Sequence, residues 1–247
     1  MLGMVTALMP ADVRLPIVLA VTLAFALLAR MLRAVTLSGA ISGGLICFAL
    51  FWSVGSGGFF ALATVFVLTW SATKFGYRRK QKLGTAETSS GRTASQVLAN
   101  LGAAAAFAVL FRLKFPHPAL LVAAIAALAE AAADTVSSEF GQSRSDAARL
   151  ITTWQKVPAG TDGGITVSGT LAGVASAAVV ALVSWCSGLL SAQSAWIAAL
   201  GGTTGMMVDS LLGATLEREG KITNDWVNLL STLVAAGIGG IVTVFWQ

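Results

Sequence analysis

Residues 118–135 read PALLVAAIAALAEAAADT, an apolar run that carries two carboxylates, Glu130 and Asp134, near one end. A transmembrane helix needs about 20 mostly apolar residues, so this run reads as a membrane span. Ionisable groups are costly in lipid, and those retained there are candidates for function. Glu130 and Asp134 are four residues apart and share one face of the helix. Comparable apolar runs lie at about 15–33, 38–54, 57–73, 96–112, 165–190, 193–212 and 227–245. Eight spans predict an all-α fold, a polytopic membrane helical bundle making one integral membrane domain over residues 1–247.

Composition points the same way. The chain is 56% hydrophobic and 11% charged, whereas soluble domains carry about 25% charged residues. The net charge of +5 does not imply nucleic acid, because the basic residues fall between apolar runs. They mark topology instead. One side collects Arg30, Arg33 and the segments 74–95, 136–164 and 213–226, with 13 of the 16 Lys and Arg residues. The other keeps Arg14, Arg112 and Lys114. Positive charge marks the cytoplasmic side, so the long loops are predicted to face the cytoplasm across a cell (inner) membrane, with both termini outside. Met1–Pro10 lacks a basic n-region and reads as a short tail, not a cleaved signal. Cys47 and Cys186 lie inside apolar runs and form no disulfide framework or metal-ligand spacing. The single histidine, His117, falls on the outer side, so neither histidine catalysis nor a His-based zinc site is expected. The Trp residues, among them Trp52, Trp70, Trp154 and Trp226, suit interfacial belts.

The chain also repeats itself. Ser38-Gly39-Ala40-Ile41-Ser42-Gly43-Gly44 matches Ser168-Gly169-Thr170-Leu171-Ala172-Gly173-Val174 at an offset of 130. Leu83-Gly84 and Leu212-Gly213 match at 129, as do Gly91-Arg92 and Gly220-Lys221, and Val97 matches Val227 at 130. A unit of four spans keeps both halves, about 15–112 and 118–245, in one orientation, the parallel kind of internal duplication. Its glycines are read mainly as close-packing positions between helices. The halves differ in chemistry: the third span ends in Lys74, Arg78, Arg79, Lys80 and Lys82, the seventh in Asp209-Ser210.

Asp209 lies at a depth comparable to Glu130 and Asp134, and Glu139 is five residues beyond Asp134. Four carboxylates at one level, beside Lys and Arg loops, resemble a magnesium–phosphate site, since magnesium takes one or two carboxylates plus phosphate oxygens. The competing reading is a structural ion pair or a proton relay. The segment Arg149 to Gly164 contains Lys156, Pro158, Gly160, Thr161, Asp162 and Gly163, and runs into the sixth span. Two readings fit it: an anion site at a helix N-terminus with open backbone amides, or an ordinary helix start capped by Asp162 or Thr161. Residues 84–93 combine glycines, hydroxyls, Glu87 and Arg92, without a P-loop signature. The basic run 78–82 reads as topogenic before catalytic.

At these residues the chain resembles an integral membrane family that includes plant phytyl-phosphate kinase alongside uncharacterised bacterial and archaeal members. The resemblance spans Ser38 to Thr232. It rests on Gly84 to Arg92 with Gln96-Val97-Leu98-Ala99-Asn100, on Ala133-Asp134-Thr135 with Ser138-Glu139, on Arg149 to Gly164, and on Asp209 to Thr215. It implies a membrane kinase converting an isoprenyl monophosphate to the diphosphate with a nucleoside triphosphate, CTP or ATP, and Mg2+. A looser similarity of residues 158–164 and Asp209-Ser210 to membrane CTP-using enzymes makes CTP a donor to consider. Under that resemblance Asp134, Glu139, Asp209 and Asp162 take the metal. Lys82, Arg149, Gly160, Thr161, Gly163, Gly164 and Ser210 hold nucleotide or phosphate, and Asp134, Asp209, Lys156 and Arg92 form the catalytic set. Two rivals share these features: a CTP-dependent lipid-phosphate cytidylyltransferase, and a non-enzymatic transporter, which would place its charges near the midplane.

Overall fold

The computed structural model describes residues 11–86, 90–113, 116–144 and 147–246. The tail Met1–Pro10 and residues Glu87, Thr88, Ser89 and Lys114 lie outside them. Each predicted span coincides with a helix: α1 (Ala11–Met31), α2 (Leu37–Val54), α3 (Ser56–Lys74), then after a short α4 (Tyr77–Leu83), α5 (Ala94–Leu113) and α6 (Pro118–Arg144). α7 (Val167–Cys186), α8 (Ala192–Leu212) and α9 (Asn224–Trp246) follow. Among the described residues, seven helices are long and apolar enough to cross a membrane, and the apolar part of α1, Leu15–Met31, is slightly shorter. The chain is an all-α polytopic membrane bundle.

α6 is its axis. Val122 to Ala133 is buried on every side, as expected of a helix that is apolar all round, and α3, α5, α7, α8 and α9 all pack against it. Small residues make the approach close. A Cβ on Gly169 of α7 would lie 2.5 Å from the Ser137 carbonyl oxygen, and one on Gly173 would lie 2.8 Å from that of Ala133. The predicted packing role holds for these glycines. Around this axis, exposed Leu23, Leu27, Leu45, Leu171, Leu200 and Ile241 form an apolar outer surface suited to lipid.

Two elements differ from the sequence reading. α6 runs on to Arg144, and at 1.5 Å per residue its 27 residues extend about 40 Å, longer than a hydrocarbon core of about 30 Å. Its last turns, with Ser138 and Glu139, therefore belong to the charged end of the bundle. The following loop is partly folded into a small antiparallel sheet, ordered β2–β1–β3, of β1 (Ala147–Leu150), β2 (Lys156–Pro158) and β3 (Gly164–Ile165). Such short strands leave no readable periodicity.

Local features recur at the spacing of the sequence match. Thr36 caps α2 by accepting from the Gly39 amide (3.1 Å), and Thr166 caps α7 by accepting from Gly169 (3.0 Å). Packing differs between the halves: α2 lies extensively on α5, whereas the main neighbour of α7 is α6.

Candidate active site

The charged end encloses a polar cavity of about 280 Å³. Its walls come mainly from the entry to α5 (Arg92, Gln96, Asn100), α6 (Asp134, Thr135, Ser138, Glu139), the loop Gly160–Gly164, the end of α8 (Asp209, Ser210), the helical turn Gly213–Glu217 that follows it, and the start of α9 (Asn224, Asn228). At its floor Asp134 and Asp209 are neighbours, both lining the cavity. Ser231 of α9 donates to Asp209 Oδ2 (3.1 Å). One turn deeper on α6, Glu130 is 1% exposed and lies within hydrogen-bonding reach of the same Ser231. Its Oε1 has no hydrogen-bond partner among the described residues.

Arg92 brings positive charge to this carboxylate-rich floor. Its Nη2 donates to Thr135 Oγ1 (3.2 Å), and the guanidinium faces Asp134. The backbone holding it is wedged into the α1–α2 corner. The Arg92 amide donates to the Ala34 carbonyl (3.0 Å) and its carbonyl accepts from the Thr36 amide (2.9 Å). Gly91, at φ +81°, makes this fit, since a Cβ there would lie 2.5 Å from the Ala34 carbonyl carbon.

Glu139 lines the cavity but is already engaged. Lys80, 0% exposed on α4, forms an ion pair with it and also donates to the carbonyls of Ala72 (3.1 Å) and Thr73 (2.8 Å). All three ammonium donors are thus used.

Of the sequence-predicted residues, Arg92, Asp134, Glu139, Gly160, Thr161, Asp162, Gly163, Gly164, Asp209 and Ser210 meet at this cavity. Lys82, Arg149 and Lys156 do not line it. Lys82 is exposed on the last turn of α4. Strand alternation turns Ala148 and Leu150 inward and Arg149 outward, where its Nη1 donates to the Trp154 carbonyl (2.8 Å) and its partner across the ladder is exposed Lys156. The loop amides are partly used up as well: Gly164 donates to the Thr161 carbonyl (2.8 Å) and Thr161 to that of Pro158 (3.3 Å). The cap of the following helix is Thr166, not Asp162 or Thr161.

Lys80, Glu217, Ser231 and two amide pairs, Gln96/Asn100 and Asn224/Asn228, carry no site role in the sequence reading yet stand at or beside the cavity. A signal was present for the amides. Each pair is spaced i, i+4 at the start of an otherwise apolar span, which puts both side chains on one face.

Neighbouring carboxyl groups repel when both are charged, and a nearby cation relieves that repulsion. Among the described residues no three His, Cys, Asp or Glu side chains converge into a metal cage. A pair of carboxylates is nonetheless enough for magnesium, which takes most of its remaining ligands from water and phosphate. Asp134 and Asp209, with Arg92 beside them, set two carboxyl groups and a guanidinium around one polar cavity at the charged end of the bundle.

Comparison with known proteins agrees with this architecture. The family model for the integral membrane protein DUF92 matches residues 20–236. An uncharacterised membrane protein of Methanocaldococcus jannaschii is 33% identical over 93% of this chain and 94% of its own. Two Arabidopsis thaliana proteins are also similar. The chloroplastic protein VTE6 is 30% identical over 78% of this chain and 59% of its own, and protein PGR is 33% identical over 76% and 74%. No solved structure matches the chain. The chain belongs to the DUF92 family of integral membrane proteins.

Proposed function

We propose that this protein is a membrane kinase that transfers the terminal phosphoryl group of a nucleoside triphosphate, CTP or ATP, to an isoprenyl monophosphate. The observation that carries the reading is the meeting of Asp134, Asp209 and Arg92 at the floor of one polar cavity at the charged end of the bundle. Similarity to VTE6, the plant phytyl-phosphate kinase of this family, supports the reaction class. The arrangement suits such a substrate, since a prenyl chain partitions into lipid while its phosphate and the nucleotide stay at the aqueous edge.

In this reaction an oxygen of the acceptor monophosphate attacks the γ-phosphorus. The bond from that phosphorus to the β–γ bridging oxygen breaks, and the nucleoside diphosphate leaves. A phosphate monoester has its second pKa near about 6 and is largely ionised at neutral pH, so no base has to take a proton. The work left is positioning and charge neutralisation. Arg92 holds an acceptor phosphate oxygen, and Asn100, Asn228 and Ser210 offer polar atoms to the remaining phosphate oxygens. Asp134 and Asp209 are the residues that would hold Mg2+, which supplies neutralisation of phosphate charge. By the positive-inside pattern this face is cytoplasmic.

The test is incubation of purified protein with labelled CTP or ATP and prenyl monophosphates of several lengths. Prenyl diphosphate and nucleoside diphosphate are the expected products. Release of pyrophosphate with a nucleotide-linked lipid would replace the kinase with a cytidylyltransferase, and no turnover with any pair would reject both.

A further inference from the structure

A second cavity, apolar and about 120 Å³, lies between α1, α2, α3 and α5. Small residues open it: Ala40 and Gly43 line the α2 wall, and a Cβ on Gly43 would meet only Val97, at 3.9 Å. Phe25 and Phe66, edge to face at 5.2 Å, are among the side chains that close it. The other end is polar. Arg92, Gln96 and Asn100 line this cavity and also the polar one described above, so the same side chains face both spaces. Trp70 lines it as well, and its buried indole N–H has no hydrogen-bond partner among the described residues. A buried donor left unmet is costly and calls for an acceptor from outside the chain.

We propose that this cavity binds the phosphate-bearing isoprene unit of a prenyl monophosphate, with the phosphate at Arg92 and the remainder of the chain continuing into lipid. The proposal rests on the kinase reading above and names its lipid subsite. Shape and charge fit that ligand: a largely apolar lining, an open N–H within it, and a guanidinium shared with the cavity that holds Asp134. Volume sets the extent. An apolar cavity of about 150 Å³ takes benzene, so this one admits roughly one isoprene unit and not the paired acyl chains of a phospholipid. Recognition of the first unit alone makes the site tolerant of chain length.

The test is photolabelling of the purified protein in nanodiscs with a geranylgeranyl monophosphate carrying a diazirine on the phosphate-bearing unit. Label is expected on the α2 and α3 segments lining the cavity, displaced by unlabelled prenyl monophosphate. Gly43→Leu is expected to lower it roughly tenfold, the usual scale for filling an apolar pocket. Gly43→Ala, whose added carbon meets only ordinary contact, gives a smaller loss and covers the case in which the leucine variant fails to fold. Trp70→Phe, which keeps most of the ring and removes the N–H, weakens labelling by the monophosphate more than by the matching alcohol. Label spread over the outer faces and indifferent to Gly43→Leu would overturn the proposal. So would displacement by phosphatidic acid as effective as by prenyl monophosphate. Cavity labelling without diphosphate formation would refute the kinase and leave the lipid site standing, whereas diphosphate formation with label elsewhere would refute the lipid site alone.

Discussion

Lys80, on a seven-residue helix at the charged end of the bundle, sets its ammonium against the Glu139 carboxylate of α6, 59 residues away in the chain. Glu139 is thereby a partner of a buried cation before it is a candidate for metal. Removing one member of such a pair strands the other's charge and costs about 3–5 kcal/mol, whereas replacing both with apolar residues of similar volume is often neutral. Lys80→Ala is therefore expected to lower the thermal unfolding temperature sharply. Lys80→Met with Glu139→Leu restores it. If the double variant also keeps magnesium-dependent transfer, the metal role inferred for Glu139 is removed. Loss of transfer in a stably folded double variant would put it back.

Asp209 stands in a different position. It meets Asp134 across the cavity floor and accepts from Ser231. Asparagine keeps the volume and an acceptor for Ser231 while removing the charge. Asp209→Asn is expected to insert and unfold like the parent and to lose about 100-fold or more in turnover, the scale seen when one electrostatic contact to developing charge is lost. Full turnover in that variant would take Asp209 out of the chemistry.

Much of this was legible in the chain and some was not, for identifiable reasons. The spans were legible because crossing a bilayer demands length and apolarity from contiguous residues, as in 118–135. Asp134 and Asp209 were legible because a carboxylate in a span is too costly to be incidental. Lys80 is hidden in the basic run 78–82, where the sequence does not distinguish it from Lys82. Only the docking of α4 on α6 buries Lys80 and leaves Lys82 exposed. Arg149 and Lys156 lie in strands too short to show a period in the sequence, so their outward direction is not legible there. In a ladder the two are directly opposed, on exposed positions away from the cavity.

Arg92 separates binding from folding. Its backbone is fixed by Ala34 and Thr36, so changing its side chain leaves the α1–α2 corner intact. Lysine retains the charge but not the planar fork that grips phosphate while also reaching Thr135. A charge-assisted hydrogen bond contributes about 1.5–3 kcal/mol, so Arg92→Lys is expected to raise KM for the prenyl monophosphate at least about tenfold with unfolding temperature unchanged. An equal rise in KM for the nucleotide would move Arg92 from the acceptor phosphate to the donor.

Gly163 and Gly220 share one backbone conformation, φ +71°, and differ in what surrounds them. A Cβ on Gly220 meets nothing within 4 Å, whereas one on Gly163 would lie 2.3 Å from Ala214 Cβ, where the loop seats on the turn after α8. Left-handed backbone costs a residue with a Cβ about 1–2 kcal/mol, and Gly220→Ala is expected to lose only that, with transfer unchanged. Gly163→Ala adds a clash between backbone-anchored atoms, so the loop must lift from the end of α8 and carry Thr161 and Asp162 away from Asp209. It is expected to lose more stability than Gly220→Ala, and to lose transfer even below its unfolding temperature. Identical behaviour of the two variants would mean that the seat of the loop on α8 does not shape the cavity.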